Sequence, residues 1–342
     1  MSPTVLELCA GGGGQALGFE MAGFEHAAAV EYEAKFCATL LENRSQWNVQ
    51  HTDIRKFDGS KFRGVDLVTA GVPCPPFSVA GKQLGSDDER DMFPAALEIM
   101  ASAKPRVIMF ENVPGLAAAK FTEYRSSLFE KIRELGYEPE GRLIQAADYG
   151  VPQLRPRFII IGMKIADWNR FEWPIPSLDA KTVGETLVDL MGEDGWKGAV
   201  NWSKLANRIA PTLVGGSRLH GGPDLGPTRA KAQWRLLGVD GMGIANNPPP
   251  ADAPLDHVPK LTIKMAARIQ SFPDSWKFAG GKTAAYRQIG NAFPPLVAKA
   301  LGTSISAMLN GKRSKTKKAE AAQMRLLEKP TEYKTTKRKA RK

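Results

Sequence analysis

Cys74 is the residue in this sequence whose surroundings most suggest chemistry. It lies among three prolines in VPCPPF, directly after the apolar run VDLVTAG. Most cysteines are small, buried hydrophobic side chains. Here the prolines restrict the backbone around a thiol at the end of a strand candidate, where ligands of open α/β sheets bind. We therefore interpret Cys74 as a nucleophile, with a core position as the alternative.

Three charged side chains at other strand candidates could assist such a thiol. Glu111 follows the apolar run VIMF, while Arg155 and Arg157 lie two residues apart in QLRPRFIIIG. Residues two apart on a strand share a face, so both guanidiniums are expected on one side. Beside a thiol, they would favour the thiolate and hold a substrate that carries a carbonyl group or an anion. A solvent-exposed acid and ordinary surface ion pairs are the alternatives.

A second group of residues indicates a nucleotide-like cofactor. The first strand candidate runs into GGGGQALG, whose glycines let a ligand approach the main chain and a helix N-terminus closely. Glu31 follows the second strand candidate 17 residues after Gly14, a spacing from which a carboxyl reaches ribose hydroxyls. Asp53 follows a third, and Tyr32 is available to lie against a base. These residues predict a ribonucleoside-containing cofactor; a NAD-type cofactor, or a tight turn without a ligand, remains an alternative.

An alternation of apolar runs with helical patterns positions these residues. The strand candidates lie at residues 4–10, 26–31, 65–72, 106–113 and 157–163. The helical patterns end at Asn43, cover 93–103 and 121–135, and return at 294–309. This order predicts an α/β fold with a doubly wound, mostly parallel sheet of the Rossmann type.

The sequence changes character after residue 163. From 164 to 259 it is rich in Gly, Pro, Asn and Trp and has few long periodic segments, which predicts a smaller, loop-rich domain. We therefore predict a catalytic domain at 1–163 plus 286–310, a second domain with a hinge at 164–285, and a basic tail at 311–342.

The net charge of +11 lies almost entirely in that tail. Residues 311–342 hold 13 Lys or Arg and 3 Glu, whereas the first 310 residues carry a net charge of +1. The tail is predicted to be a disordered arm that either binds phosphates or only increases solubility.

Three cysteines and four scattered histidines predict neither a disulfide framework nor a metal site. The sequence contains no run of 18 apolar residues, so it predicts no membrane span.

The motifs, taken in order, resemble those of the DNA cytosine carbon-5 methyltransferases. CAGGGG, Glu31, Asp53, PCPPFS, ENV, QLRPR and RQIGNAFPP follow the family's order over residues 5–163 and about 260–305. The resemblance implies methyl transfer from S-adenosylmethionine to carbon 5 of a flipped-out cytosine in a specific double-stranded DNA sequence. Such an enzyme would be the modification enzyme of a restriction–modification system, or an orphan or phage methylase. It is expected to be a cytoplasmic, nucleoid-associated monomer without a membrane or metal partner.

The resemblance also implies a role for each residue. Cys74 would attack carbon 6, Glu111 would contact ring nitrogen 3 and the exocyclic amine, and Arg155 and Arg157 would help to bind the base. The implied substrate-binding residues are Pro73, Ser78, Asn112, Gln153, Thr212 and Leu213. The implied cofactor-binding residues are Ala10, Gly11, Gly12, Gly14, Glu31, Tyr32, Asp53, Ile54 and Asn291. Residues 164–259 would form the target recognition domain.

Two departures and two alternatives accompany the resemblance. Cys9 stands where the family usually has Phe, and Met265 where an acid is usual. RNA cytosine methylation is one alternative, but the CFT tripeptide of that branch is absent and the recognition region is long. A DNA-binding module without catalysis is the other, and the intact Cys74 and Glu111 argue against it.

Overall fold

Seven strands form one mixed sheet in the computed structural model, which describes residues 2–73, 91–176, 180–216 and 222–311. The strands are β1 (Thr4–Leu8), β2 (Glu25–Glu31), β3 (Val49–His51), β4 (Leu67–Ala70), β5 (Val107–Asn112), β6 (Glu138–Gln145) and β7 (Pro156–Met163). Their spatial order is β3-β2-β1-β4-β5-β7-β6. Strands β1 to β5 are parallel, as the predicted Rossmann-type fold requires.

The last apolar run deviates from the predicted pattern. We expected RFIIIGM as another parallel strand, but β7 runs antiparallel to β5 and β6. The chain reaches the outer edge of the sheet in β6 and returns through the loop of residues 146–155, so β7 must run in the opposite direction. Strand β6 was missed because EPEGRLIQ mixes polar, charged and apolar residues, and four of its eight residues are only partly buried while two are exposed.

Helices cover both faces of the sheet, as a parallel sheet needs. The first four are α1 (Gly14–Met21), α2 (Ala34–Asn43), α3 (Phe93–Ala103) and α4 (Thr122–Glu134). On one face, Phe93 of α3 and Leu128 of α4 pack with Leu6 and Ile160 of the sheet. The helical patterns predicted to end at Asn43 and to cover 93–103 and 121–135 are confirmed to within about one residue.

The C-terminal helices complete the other face. They are α9 (Ile263–Ile269), α10 (Lys282–Asn291) and α11 (Pro295–Leu309). Within the described ranges, only Lys282–Leu309 is apolar and long enough by composition to cross a membrane, and half of its apolar window is buried. Residues such as Val297, Leu301 and Ile305 pack against β1 and β5, so this stretch is a core element of the fold.

The region after β7 has more helix than its sequence suggested. It contains α5 (Ile165–Trp168), α6 (Val183–Met191), α7 (Ala199–Leu205) and α8 (Thr228–Arg235). These helices are short, which explains why no long periodic segment was visible. Trp196, Trp202 and Trp234 are buried in a core shared with α9 and α10. The same core also contains Leu17 of α1 and Leu40 of α2, so the region is packed against the helices of the sheet.

Met265 replaces the usual acid without loss of the helix start. The Thr262 hydroxyl accepts a hydrogen bond from the Met265 amide (3.2 Å), and the Met265 sulfur accepts one from the Thr262 amide (3.4 Å). An acid in this place would complete a capping box. The thioether is a weak acceptor, but it performs the same pairing in a fully buried position.

Candidate active site at the carboxyl edge of the sheet

Glu111 and Arg157 form a nearly buried ion pair at the end of β5. The Arg157 Nε lies 2.7 Å from Glu111 Oε1, and each side chain is only about a tenth exposed, at 11% and 12%. The pair forms because β5 and β7 are antiparallel neighbours, with Glu111 opposite Ile159, two residues from Arg157. The sequence prediction that these two groups meet is confirmed, through a strand direction that the sequence did not reveal.

This ion pair adjoins the segment that leads to Cys74. A Cβ atom placed on Gly71 would lie 3.8 Å from Glu111 Oε2. The Asn112 amide donates to the Val72 carbonyl at 3.4 Å, and the Asn112 side-chain oxygen accepts from its neighbour's backbone N–H. Residues 71–73, ending at the exposed Pro73, are thus held beside Glu111. Cys74 and Ser78 themselves lie outside the described residues.

Arg155 occupies a different environment from Arg157, although the two were expected together beside the carboxyl. Its side chain is 1% exposed. One terminal nitrogen donates to the Leu213 carbonyl and the other to the Gly290 carbonyl, both at 2.8 Å. Two arginines on one short segment therefore contact separate partners, one the Glu111 carboxyl and the other the main chain of two distant segments.

Gln153 and the Thr212–Leu213 pair meet next to Arg155. Leu213 donates its backbone N–H to the Gln153 side-chain oxygen (2.8 Å), and the Thr212 hydroxyl donates to the Leu154 carbonyl (2.6 Å). The Gln153 amide donates to the buried Gln270, which directly follows α9, and the Gln270 amide donates to a main-chain carbonyl. Sequence reasoning missed Gln270, since a lone glutamine at a helix end gives no signal of such a network.

The first loop has a left-handed backbone at three positions. Cys9, Gly11 and Gly13 have φ angles of 57°, 59° and 84°. Left-handed backbone favours glycine, so Cys9 is the unusual member. Burial, followed by the charges of Glu31 and Asp53, raises the pKa of the Cys9 thiol, which therefore stays neutral.

Glu31 holds this loop in place from the end of β2. One carboxylate oxygen accepts the Gly11 N–H at 2.7 Å and the other accepts the Glu33 N–H at 2.8 Å. Burial raises the pKa of the Glu31 carboxyl, and these hydrogen bonds oppose that shift. Glu31, which is predicted to bind the ribose of a cofactor, is therefore also the residue that orders the glycine loop.

The end of β3 adds the remaining predicted cofactor residues. Asp53 caps the short turn Ile54–Lys56 and accepts from Arg55, whose hydrogen bonds lower the pKa of the Asp53 carboxyl. Ile54 is buried, and the side chain of Tyr32, which directly follows β2, is 58% exposed. A main-chain hydrogen bond from Thr52 to the Glu31 carbonyl (3.0 Å) joins the two strand ends. An aromatic face, an apolar surface and an acid are thus available for an adenosine group.

The turn between α10 and α11 closes over the loop. A Cβ on Gly14 would collide with the Phe293 carbonyl oxygen, and a Cβ on Gly12 would lie 3.0 Å from the Gln288 Cβ. The Trp276 indole N–H donates to the Gly12 carbonyl at 3.2 Å. Asn291, predicted to contact the cofactor, donates its amide to the Gly216 carbonyl at 3.1 Å. The sequence did not identify Trp276, which lies far from the loop along the chain.

The donor set fits a cationic adenosine cofactor. Ala10 donates its N–H to the Val30 carbonyl, which fixes the loop start. The carboxylates of Glu31 and Asp53 lie at neighbouring strand ends, and the loop between β1 and α1 offers close access to main chain. Within 2–73, 91–176, 180–216 and 222–311, no three His, Cys, Asp or Glu side chains are grouped as a metal site would need.

Comparison with known proteins points in one direction. The model of the C-5 cytosine-specific DNA methylase family matches residues 3–307. The type II methyltransferase M.NaeI of Lentzea aerocolonigenes is 52% identical over 313 residues, which cover 90% of this chain and 76% of that protein. The type II methyltransferase M.NgoMIV of Neisseria gonorrhoeae is 49% identical over 314 residues, covering 89% and 97%.

Solved structures show the same fold at low identity. The Entamoeba histolytica methyltransferase EhMeth has a TM-score of 0.63 at 14% identity, with 90% of this chain and 99% of that chain covered. A Spodoptera frugiperda DNMT2 variant has a TM-score of 0.60 at 18% identity, with the same coverage. At these identities, both matches support the overall fold alone.

Proposed function

Because the chain belongs to the C-5 cytosine-specific DNA methylase family, we propose that Cys74, Glu111 and Arg157 carry out its methyl transfer to cytosine in DNA. The observation that supports this assignment is the Glu111–Arg157 ion pair beside residues 71–73, which lead directly to Cys74. The target is a cytosine within a specific double-stranded sequence, modified as part of a restriction–modification system. An orphan or phage methylase would use the same chemistry.

The proposed chemistry starts at carbon 6 of the cytosine. A base inside a duplex is out of reach, so the cytosine is extruded before reaction. The Cys74 thiolate adds to carbon 6, and the electron pair displaced toward ring nitrogen 3 is met by a proton shared with Glu111. Arg157 orients the Glu111 carboxyl through their 2.7 Å contact. Carbon 5 thereby becomes nucleophilic enough to accept a methyl group.

The end of the reaction restores the aromatic ring. A base removes the proton from carbon 5, the electron pair returns to the ring, the Cys74 thiolate leaves carbon 6, and the proton on ring nitrogen 3 returns to Glu111. The methyl donor of this family is S-adenosylmethionine, which supplies the methyl group as an electrophile when bound. Glu31 would hold the ribose of this donor. Its adenine would be held by Asp53, Ile54 and Tyr32. Ala10, Gly11, Gly12, Gly14 and Asn291 would surround the rest.

The substrate side extends beyond these catalytic groups. Asn112 braces residues 71–73, and Pro73 and Ser78 would line the base pocket around Cys74. Thr212 and Leu213 would begin the loop that reads the DNA, within the recognition domain and hinge at 164–285. One chain supplies every group named, so we propose a monomer that acts on DNA in the cytoplasm.

Bisulfite sequencing of DNA from cells that express the protein tests this proposal and reveals the target sequence. Wild type should protect one cytosine in a fixed sequence, and Cys74→Ser should protect none. Cys37→Ser is the matched control, because the Cys37 thiol lies buried behind Glu31 and donates only to its main-chain carbonyl among the described contacts. Full protection by Cys74→Ser, or transfer to tRNA in preference to duplex DNA, would contradict the proposal.

The basic tail is proposed as an arm that increases DNA affinity without choosing the sequence. Residues 312–342 lie outside the described residues, so this proposal rests on their charge alone. Each phosphate contact made by a cation contributes to the salt dependence of binding. Deletion of 312–342 should weaken binding and flatten its salt dependence, with the methylated sequence unchanged. An unchanged salt slope would contradict the role.

A further inference from the structure

Arg155 links two segments that are far apart in the sequence. Its guanidinium donates to the carbonyls of Leu213 and Gly290, both at 2.8 Å, and the side chain is 1% exposed. Leu213 belongs to residues 210–216, which we call the recognition-loop root. Gly290 belongs to residues 290–293, which we call the α10 turn. A guanidinium has several donors in a fixed plane, so it can fix the distance between two carbonyls.

The same two segments touch through their backbones. A Cβ on Gly290 would collide with the Cα and amide nitrogen of Gly215. A Cβ on Gly215 would lie 2.7 Å from the Arg287 carbonyl oxygen and 2.8 Å from the Asn291 amide nitrogen. Neither Gly215 nor Gly290 has a positive φ angle, so close approach is what requires glycine here. The root and the α10 turn are therefore in main-chain contact, and Arg155 closes that contact.

The other side of the α10 turn rests on the cofactor loop. Gly14 has no room for a Cβ because the Phe293 carbonyl oxygen is too close. Arg155 also precedes Arg157 by two residues, and Arg157 holds Glu111. The recognition-loop root is thus attached to both the catalytic carboxyl and the cofactor loop by short, buried connections.

We propose that Arg155, Gly215 and Gly290 form a joint that fixes the recognition-loop root relative to the catalytic groups. Arg155 is then a positioning residue for target choice, acting through Leu213 and Gly290, and not a residue that contacts the base. The proposal rests on the proposed function, since it names how that same site is aligned with its DNA.

Two substitutions disturb the joint by unrelated physical means. Arg155→Lys removes the planar pair of donors while keeping the charge. Gly215→Ala keeps Arg155 but inserts a Cβ against the α10 turn. Both should displace the recognition-loop root. The loss of binding free energy from a misplaced DNA-reading segment should be comparable to the loss from one mismatched base pair. We expect the KM for DNA to rise about tenfold and discrimination against one-base changes to fall about tenfold in both variants.

The readouts are chosen to separate positioning from catalysis and from folding. For each variant we would measure kcat and KM on the duplex identified by bisulfite sequencing, the same on duplexes with one base pair changed, and the melting temperature. Arg133→Lys is the control, because Arg133 lies on α4 with a side chain that is 49% exposed and pairs with Glu138 at 3.1 Å. The control should keep wild-type discrimination, and kcat at saturating DNA should change little in all three variants.

Two results would contradict the proposal that Arg155, Gly215 and Gly290 form a joint. A folded Gly215→Ala with wild-type KM and discrimination would show that the contact does not position the root. A loss of kcat in Arg155→Lys with unchanged KM and discrimination would assign Arg155 to the base itself. Failure of the proposed function looks different, because wild type would then leave every cytosine unmethylated.

Discussion

The two halves of the sheet's carboxyl edge are built from different parts of the chain. The base half, at β4, β5 and β7, depends on charged side chains, above all the Glu111–Arg157 pair. The cofactor half, at β1 to β3, depends on main chain: a left-handed loop whose Gly11 N–H is held by Glu31. A charge change should therefore disable the base half without disturbing its fold, whereas the cofactor half should be sensitive to any added Cβ atom.

The largest effect should come from Glu111→Gln. The substitution keeps the shape but removes the carboxyl's proton exchange with the base, and general acid–base groups contribute about 10²- to 10⁴-fold to rate. We expect kcat to fall by about that factor while the affinity for S-adenosylhomocysteine is unchanged. Glu138→Gln removes a surface partner of Arg133 at 3.1 Å and serves as the control, since exposed pairs stabilise little. Weakened cofactor binding in Glu111→Gln would erase the distinction between the halves.

The second effect concerns pH and the support of the cofactor half. His26 donates to the Ala16 carbonyl of α1 at 3.1 Å, and burial lowers the pKa of His26 to about 4 from 6.5. The unfolded chain therefore binds a proton at higher pH than the folded chain, so stability is lost as pH falls from 6.5 through 4. The shift corresponds to about 3 kcal/mol.

Chemical denaturation of wild type and His26→Gln at several pH values measures this contribution. Gln retains a donor for the Ala16 carbonyl but does not titrate, so the stability advantage of wild type should shrink below pH 6.5. Parallel pH profiles for the two proteins would contradict a neutral, buried His26.

A third, smaller effect should follow from Gly14→Ala. The new Cβ would collide with the Phe293 carbonyl oxygen, and such overpacking costs about 1–3 kcal/mol. Because the collision pushes the α10 turn from the glycine loop, we expect weaker S-adenosylhomocysteine binding by calorimetry as well as a lower melting temperature. Gly23→Ala is the control: its φ is +86° but its Cβ would meet nothing within 4 Å. It should lower the melting temperature alone, and equal cofactor losses in both variants would refute the argument from close approach.

The smallest effect should come from Trp276→Phe. This change removes the hydrogen bond to the Gly12 carbonyl (3.2 Å) and keeps most of the ring, so the loss is about 1 kcal/mol. Cofactor affinity should drop by about fivefold at unchanged kcat. Trp202→Phe loses an equivalent indole hydrogen bond, to the Gly238 carbonyl (2.9 Å) in the region after β7, and should leave the cofactor affinity unchanged. If both variants behave alike, Trp276 supports folding only.

Much of the fold could be predicted because its strands are strongly apolar. Strands β1, β2, β4, β5 and β7 and helices α3 and α4 were all recognised, with boundaries close to those found. Strand β6 escaped because an edge strand with polar residues has no clear pattern. The short helices of the second region escaped because seven to nine residues give too few turns for periodicity to be visible.

The sequence by itself predicted which residues would carry chemistry and in what order, because such motifs are local and lie at strand ends. It placed Glu111 and Arg157 in one group and Glu31 in another. Only the tertiary structure decided that Arg155 donates to the carbonyls of Leu213 and Gly290, whereas Arg157 pairs with Glu111. The physical reason is that the partners of the Arg155 guanidinium are main-chain carbonyls, which every residue has, so no spacing of residue types indicates them.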